Sequence, residues 1–439
     1  MKHFKTILIL LLLFSHQVFS QELLSLDKAI EIALKNNYSI QISNNNAQMA
    51  QNDNYIGNAG MLPSLNLNAS GNKSTNDIKQ SYASGLEVSK VGVASDNLSY
   101  GAALNWTLFD GFKMFTTYDK LGVLEDLGAI NAKITIETTV SSIIDAYYDV
   151  VRQKQLLGVI KDAIAVYDAK LNLAETKYNI GKASKLDFLQ SKVDLNAQKS
   201  LLLRQNQALA TAKITLNQLL SRNIDLDFNV TDTIIIDYKP TIDELKTTTL
   251  RQNNFLKSYE KNVKVAELSL KQYESQRYPT LGLGLNYNFT KTDNEAGFVL
   301  LNQNQGLSIG FTATYNLFNG SILNHQIEDA EINLENTNLQ FKDARVQVEA
   351  GLMKAWRTFQ ADLDVLKLEE ENLTVAKENL DVALERYKQG ASSSIELKDA
   401  QQSYEDSEGR VVQARYDAKV AETELMRLNG QLVKGSGIK

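Results

Sequence analysis

The sequence predicts a mainly α-helical protein that also carries transmembrane β-strands, with a long antiparallel coiled-coil plan and four strands per chain. Three observations carry this expectation. Apolar residues keep a helical period for almost 70 residues in two separate regions. Four other stretches switch to period two, with apolar residues on one side and small polar ones on the other. Local identity also returns at a fixed offset. YNIGKASKLDFLQ at 178–190 is echoed by YKQGASSSIELKD at 387–399, so that Gly181 and Gly390, Tyr178 and Tyr387, and Asp187 and Glu396 each lie 209 residues apart. The plan is therefore expected to be an internal duplication.

The chain opens with a basic start at Lys2 and Lys5, an apolar run over 7–14, and a small residue, Ser20, before Gln21. This order predicts a secretory signal peptide over residues 1–20, too short to span a bilayer as a helix. Residues 21–240 form the first expected repeat. A helix is predicted from Leu26 to about Ile56, with Ala29, Ile32, Ala33 and Ile40 on one face, and Pro63 stops it. A β-hairpin is expected over 64–109. Leu65, Leu67 and Ala69 alternate in its first strand, and Tyr100, Ala102, Leu104, Trp106 and Leu108 in its second. A polar Gly/Ser/Asn-rich connection is expected over 71–97. Helical period then runs from Phe112 to about Asn179, close to 100 Å at 1.5 Å per residue. The chain turns near Gly181 and returns as a second helix, which must pack antiparallel. Residues 223–240, closed by Pro240, read as an irregular equatorial belt.

The second repeat is expected over 241–429. It has a helix from Ile242, punctuated by Pro279, and a hairpin over 280–318. In that hairpin Leu281, Leu283, Leu285, Tyr287 and Phe289, then Leu307, Ile309, Phe311, Ala313, Tyr315 and Leu317, alternate with small polar residues. A second long helix pair turns near Gly390, and 430–439 is a short polar tail. NWTLFDG at 105–111 and TYNLFNG at 314–320 repeat the same 209-residue offset.

Composition narrows the function. The chain has no cysteine and three histidines, so neither a disulfide framework nor a transition-metal site is expected. The formal charge of −6, about −8 once Lys2 and Lys5 are removed, argues against nucleic acid as a partner. Gly181-Lys182-Ala183-Ser184 superficially suggests a phosphate loop but lacks the upstream glycine and the preceding strand. No nucleophile–base constellation appears, no cofactor is implied, and the chain is not expected to be an enzyme. Tyr100, Trp106, Tyr287, Phe289, Phe311 and Tyr315 sit at strand positions that suit an aromatic girdle in outer-membrane lipid. Four strands cannot close a barrel, and open edges cannot face lipid, so several copies must combine. Two copies supply eight strands and three supply twelve, and the residues themselves leave that choice open.

In its duplicated helix–hairpin–helix-pair order, its FDG and FNG corners at 109–111 and 318–320, and its tip pattern, the chain resembles the TolC family of outer membrane efflux proteins. The resemblance implies a homotrimer with a 12-stranded outer-membrane β-barrel open to the outside and a helical tunnel crossing the periplasm. It implies a passive exit duct of a tripartite efflux pump or type I secretion system. The implied partners are a periplasmic adaptor (membrane fusion) protein and an inner-membrane transporter of RND or ABC type, which supplies the energy. It places Gly181 and Gly390 at adaptor-contact tips. It makes Glu396 and Asp399 the acids that close the periplasmic entrance, although both also suit solvated acids near a helix N-terminus. It pairs Tyr387 with Asp187 as a latch between copies. The arginine that the family carries two residues after the second glycine is replaced here by Ser392, so that link is missing. The other reading is a non-channel periplasmic coiled-coil spacer or adaptor, for which a single helical hairpin flanked by β-domains is expected.

Overall fold

The protein is described by a computed structural model over residues 23–432. The signal peptide expected at 1–20 and the tail from residue 433 lie outside the described residues. The chain forms two compact units. One contains residues 23–44, 131–256 and 345–432, and the other contains residues 45–130 and 257–344.

In chain order the elements are β1 (Leu23–Leu24), α1 (Leu26–Asn36), α2 (Tyr38–Asp53), β2 (Ser64–Ser81), β3 (Glu87–Asp110), α3 (Lys113–Asn179), α4 (Lys185–Leu219) and β4 (Asn229–Val230). They continue with α5 (Ile242–Gln252), α6 (Asn254–Glu274), a 3-10 turn (Ser275–Arg277), β5 (Thr280–Asn294), β6 (Leu301–Thr314), α7 (Ile322–Lys388) and α8 (Ser394–Leu428). Helices α3 and α7 each have 67 residues, and α4 and α8 each have 35. Among the described residues no helix is long and apolar enough to cross a membrane.

The first unit is built from helices around two apolar cores. In one, Ala29, Ile30 and Ala33 of α1 pack with Ile143, Tyr147 and Val150 of α3 and Leu216 of α4, closed by Leu24 and Phe228. In the other, Leu245 of α5 packs with Leu352 and Phe359 of α7 and Leu425 of α8. The equatorial segment 223–240 is pinned beside these cores. Strand β4 pairs in parallel with β1, and Tyr147 Oη donates to Leu24 O at 3.0 Å. Farther along, the Tyr238 amide donates to Glu422 Oε1 at 2.9 Å.

The helix predicted to run unbroken from Leu26 to Ile56 is divided at Asn37, and the one from Ile242 is divided at Asn253. The cause is the same in both places. Asn37 Oδ1 accepts from the Ser39 and Ile40 amides and so caps α2, while its Nδ2 donates to Leu219 O at the end of α4 (2.8 Å). Asn253 Oδ1 accepts from the Leu256 amide, and its Nδ2 donates to Leu428 O at the end of α8 (2.9 Å). Each asparagine satisfies an orphan carbonyl of a distant helix end as well as starting a new helix.

The second unit contains an antiparallel sheet of order β2-β3-β5-β6. The first hairpin spans the expected stretch, but its strands are longer than the sequence suggested. Most of the 71–97 connection is itself strand, and the turn is confined to 82–86. Backbone pairing runs on through Asn72–Asn97 and Lys73–Asp96 without needing an apolar face. The fourth strand ends at Thr314, so Tyr315 and Leu317 lie past it rather than on it. Two matching corners return the chain to helix. Gly111 and Phe112 have φ of 72° and 70°, and Gly320 and Ser321 have φ of 70° and 65°. All four are left-handed, a conformation that costs little only for glycine.

Candidate functional site

Two regions carry the residues singled out above, one in each unit. The first lies around the turns between the paired helices. Gly181 (φ 73°) ends α3 and Gly390 (φ 75°) ends α7. In each turn the residue after the glycine donates back over it, Lys182 N to Lys177 O (2.8 Å) and Ala391 N to Arg386 O (2.9 Å). The positive φ at the glycine is what lets the helix end in this way. The next helix then starts on a serine cap. Ser184 and Asp187 form a reciprocal capping box, and Ser393 Oγ accepts from the Glu396 amide at 3.2 Å.

Asp187 faces both turns. Its Oδ2 takes the Ser184 amide and hydroxyl, while its Oδ1 takes Ser394 Oγ of the second turn at 3.4 Å. Tyr387 is buried beside it. Burial and then the charge of Asp187 raise the Tyr387 pKa. No hydrogen bond joins the expected latch pair, Tyr387 and Asp187, and the cross-turn hydrogen bond to Asp187 comes from Ser394 instead. Tyr387 is gripped through its ring and backbone by Lys177, whose Nζ sits 4.1 Å from the ring centre and 3.4 Å from Tyr387 O. Where the family arginine is missing, Ser392 Oγ donates to Ser393 O, and Arg386 instead donates to Ala391 O.

Glu396 and Asp399 are both exposed on the first turns of α8, one helical turn apart. Lys398, between them, turns inward to a buried charge cluster that the sequence reading missed. Asp194 of α4 takes Lys398 Nζ (2.9 Å) and Gln190 Nε2 (2.9 Å) on Oδ1, and Lys170 Nζ of α3 lies 3.5 Å from Oδ2. The Asp194 and Lys170 side chains are 5% and 4% exposed, so this is an ion pair inside the protein. Burial pushes the Asp194 pKa up, but the bonds from Lys398 and Gln190 and the charge of Lys170 outweigh it and hold the carboxyl below its usual range. Burial dominates at Lys170 and lowers its pKa. One turn further along α4, Gln198 Nε2 donates to Glu405 of α8 at 2.9 Å, and burial pushes the Glu405 pKa up to about 7. Among the described residues no group of three or more histidine or acidic side chains is placed to hold a metal.

The second region is the sheet. Cross-strand register puts Leu65, Leu104, Leu285 and Ile309 in one row and Leu67, Ala102, Tyr287 and Leu307 in the next. Trp106, Leu283 and Phe311 border this band on one side. Ala69, Tyr100 and Phe289 border it on the other, with the Tyr100 and Phe289 rings stacked at 4.7 Å. Trp106 Nε1 donates to Met61 O at 2.9 Å. Five of the six proposed girdle aromatics therefore share one face, and Tyr315 lies just beyond its edge. That face is exposed, with Leu67 and Phe311 85% and 78% open. The opposite face carries Ser99, Gly101, Asn105, Gly284, Asn286, Asn288, Ser308 and Gly310. Among the described residues, strands β2 and β6 each have one unpaired edge.

Comparison with known proteins agrees with this geometry. The sequence profile of the outer membrane efflux protein family matches residues 29–222 and again 246–431. The outer membrane efflux protein BepC of Brucella suis biovar 1 (strain 1330) is 20% identical over 332 residues, covering 76% of this chain and 72% of its own. Outer membrane protein TolC of Escherichia coli (strain K12) is 19% identical over 383 residues, with coverage of 85% and 75%. Among solved structures, the outer membrane protein VceC of Vibrio cholerae superposes with a TM-score of 0.74 at 18% identity, covering 92% of this chain and 96% of that one.

Proposed function

The chain belongs to the outer membrane efflux protein family, the TolC family, and on that premise we propose that it is one third of a passive exit duct. It is an outer-membrane transport protein with a periplasmic helical extension. Three copies would place their four strands each in a 12-stranded barrel, apolar face to lipid and small polar face to the lumen. The observation that carries this reading is the sheet itself. It exposes a broad apolar face, which water disfavours, and among the described residues it leaves both edges unpaired, which lipid does not tolerate.

The two halves of the chain read as copies of one unit, residues 21–240 and 241–429. Equal helix lengths, the twin asparagine breaks and the double profile match support this. The turns at Gly181 and Gly390 form the periplasmic entrance, where an adaptor protein docks. Glu396 and Asp399 line that entrance, and three copies make two acidic rings. Asp187, Ser394, Lys177 and Tyr387 hold the two turns of each chain together. The duct has no energy-coupling motif, so an inner-membrane transporter drives export in a tripartite pump or type I secretion system.

Replacing Glu396 and Asp399 together by Ala tests the entrance. In planar bilayers the native protein is expected to show a small cation-preferring conductance. The double variant should lose most of that preference and its block by multivalent cations. A double variant with native selectivity would remove both acids from the ion path.

A further inference from the structure

The turn end of the sheet holds a feature that a freely open outer mouth does not require. We propose that the β5–β6 loop, residues 295–300, forms an apolar collar inside the outer mouth of the pore, with Phe298 as its rim, and that it limits the size of what passes. The proposal rests on the trimeric barrel argued above and adds a selecting element to it.

The small polar face can be followed to the end of the strands. Ser99 Oγ meets Thr290 Oγ1 at 3.5 Å, and Ser95 Oγ donates to Asn294 Oδ1 at 2.7 Å, so these side chains share that face. Beyond Asn294 the chain doubles back. The Glu295 amide donates to Ala94 O (3.0 Å), and the Asn294 amide donates to Leu300 O (2.7 Å). Gly297, at φ 120°, allows the reversal. The loop lands on the polar side. Ala296 is buried there, as is Val93, and both line a cavity of about 570 Å³ with Asn76, Ile78, Ser95 and Phe298. Residues 76, 93 and 95 belong to the same face as Ser99 and Asn105 by register.

Phe298 is the odd residue in this arrangement. Its ring lies 6.1 Å from that of Tyr82, yet 86% of the residue is exposed. A large exposed aromatic on the lipid face needs no explanation. On the face that would line a water-filled lumen it is unfavourable unless it serves the path. Three copies would place three such rings around the mouth, and apolar constrictions exclude large or hydrated solutes.

The chain has no cysteine, so a single introduced thiol reports alone. Asn286 lies eight residues below Asn294 on the polar face of β5, about 26 Å along the strand. Cells carrying Asn286→Cys are labelled from outside with a small charged maleimide or with one bearing a bulky polymer. The small reagent should react readily and the bulky one slowly, and adding Phe298→Ala should speed the bulky reagent about tenfold. Phe298 is too exposed for that change to unfold the sheet. A bulky reagent that reacts equally fast, or is equally excluded, with and without Phe298 overturns the collar. If even the small reagent cannot reach Asn286→Cys, the pore reading falls and the collar falls with it.

Discussion

Asp194→Ala is expected to destabilise the helical unit by about 3–5 kcal/mol, because it strands the Lys170 ammonium in the interior. Lys170 is almost fully enclosed, and Asp194 is its ion-pair partner, drawn from the neighbouring helix. The same carboxylate holds Lys398, one residue before Asp399, so its loss also frees the first turns of α8 beside the proposed entrance. Thermal unfolding of the purified protein checks the first effect. A double replacement, Asp194→Leu with Lys170→Met, separates charge from packing. Removing both buried charges should recover most of the lost stability. If Asp194→Ala unfolds like the native protein, the cluster is solvated and the interior ion pair is wrong.

The second large effect is at Gly111. Its φ of 72° is almost the same as the 70° of Gly320 in the matching corner, but the surroundings differ. A Cβ on Gly111 would sit 2.1 Å from Ser275 O and 2.8 Å from Tyr278 Cβ, whereas a Cβ on Gly320 meets nothing within 4 Å. Gly320→Ala should therefore cost only the left-handed backbone penalty, about 1–2 kcal/mol. Gly111→Ala adds an overpacking cost of about 1–3 kcal/mol and must push back the segment that leads into β5. Yield of assembled protein and thermal midpoint should fall clearly further for Gly111→Ala than for Gly320→Ala. Equal losses would mean that the two corners share surroundings as well as backbone.

Much of this architecture was legible in the residues. The switch from period 3.6 to period two at Pro63 and at Pro279 located both hairpins, because each period buries or exposes a different set of side chains. The serine caps at Ser184 and Ser393 are equally local signals, since a capping box spans four residues, but they went unread. What else escaped the reading depends on distant groups. The breaks at Asn37 and Asn253 need the carbonyls of Leu219 and Leu428, 182 and 175 residues away. Strand between residues 71 and 97 has no apolar alternation to betray it, because its ladder is made by the backbone. Lys170, Asp194 and Lys398 each look like an ordinary surface charge until three helices pack them together. Lys177 gave no hint that it would hold Tyr387 by the ring.

The central claim is the number of copies. Four strands with two open edges demand closure, and three chains supply it in the proposed barrel. The direct measurement is the protein mass of the unheated, detergent-purified particle, by native mass spectrometry or light scattering corrected for detergent. Three copies of the chain are expected, resolving to one copy on heating. A monomer, or a dimer whose eight strands would leave a lumen filled by side chains, would contradict it.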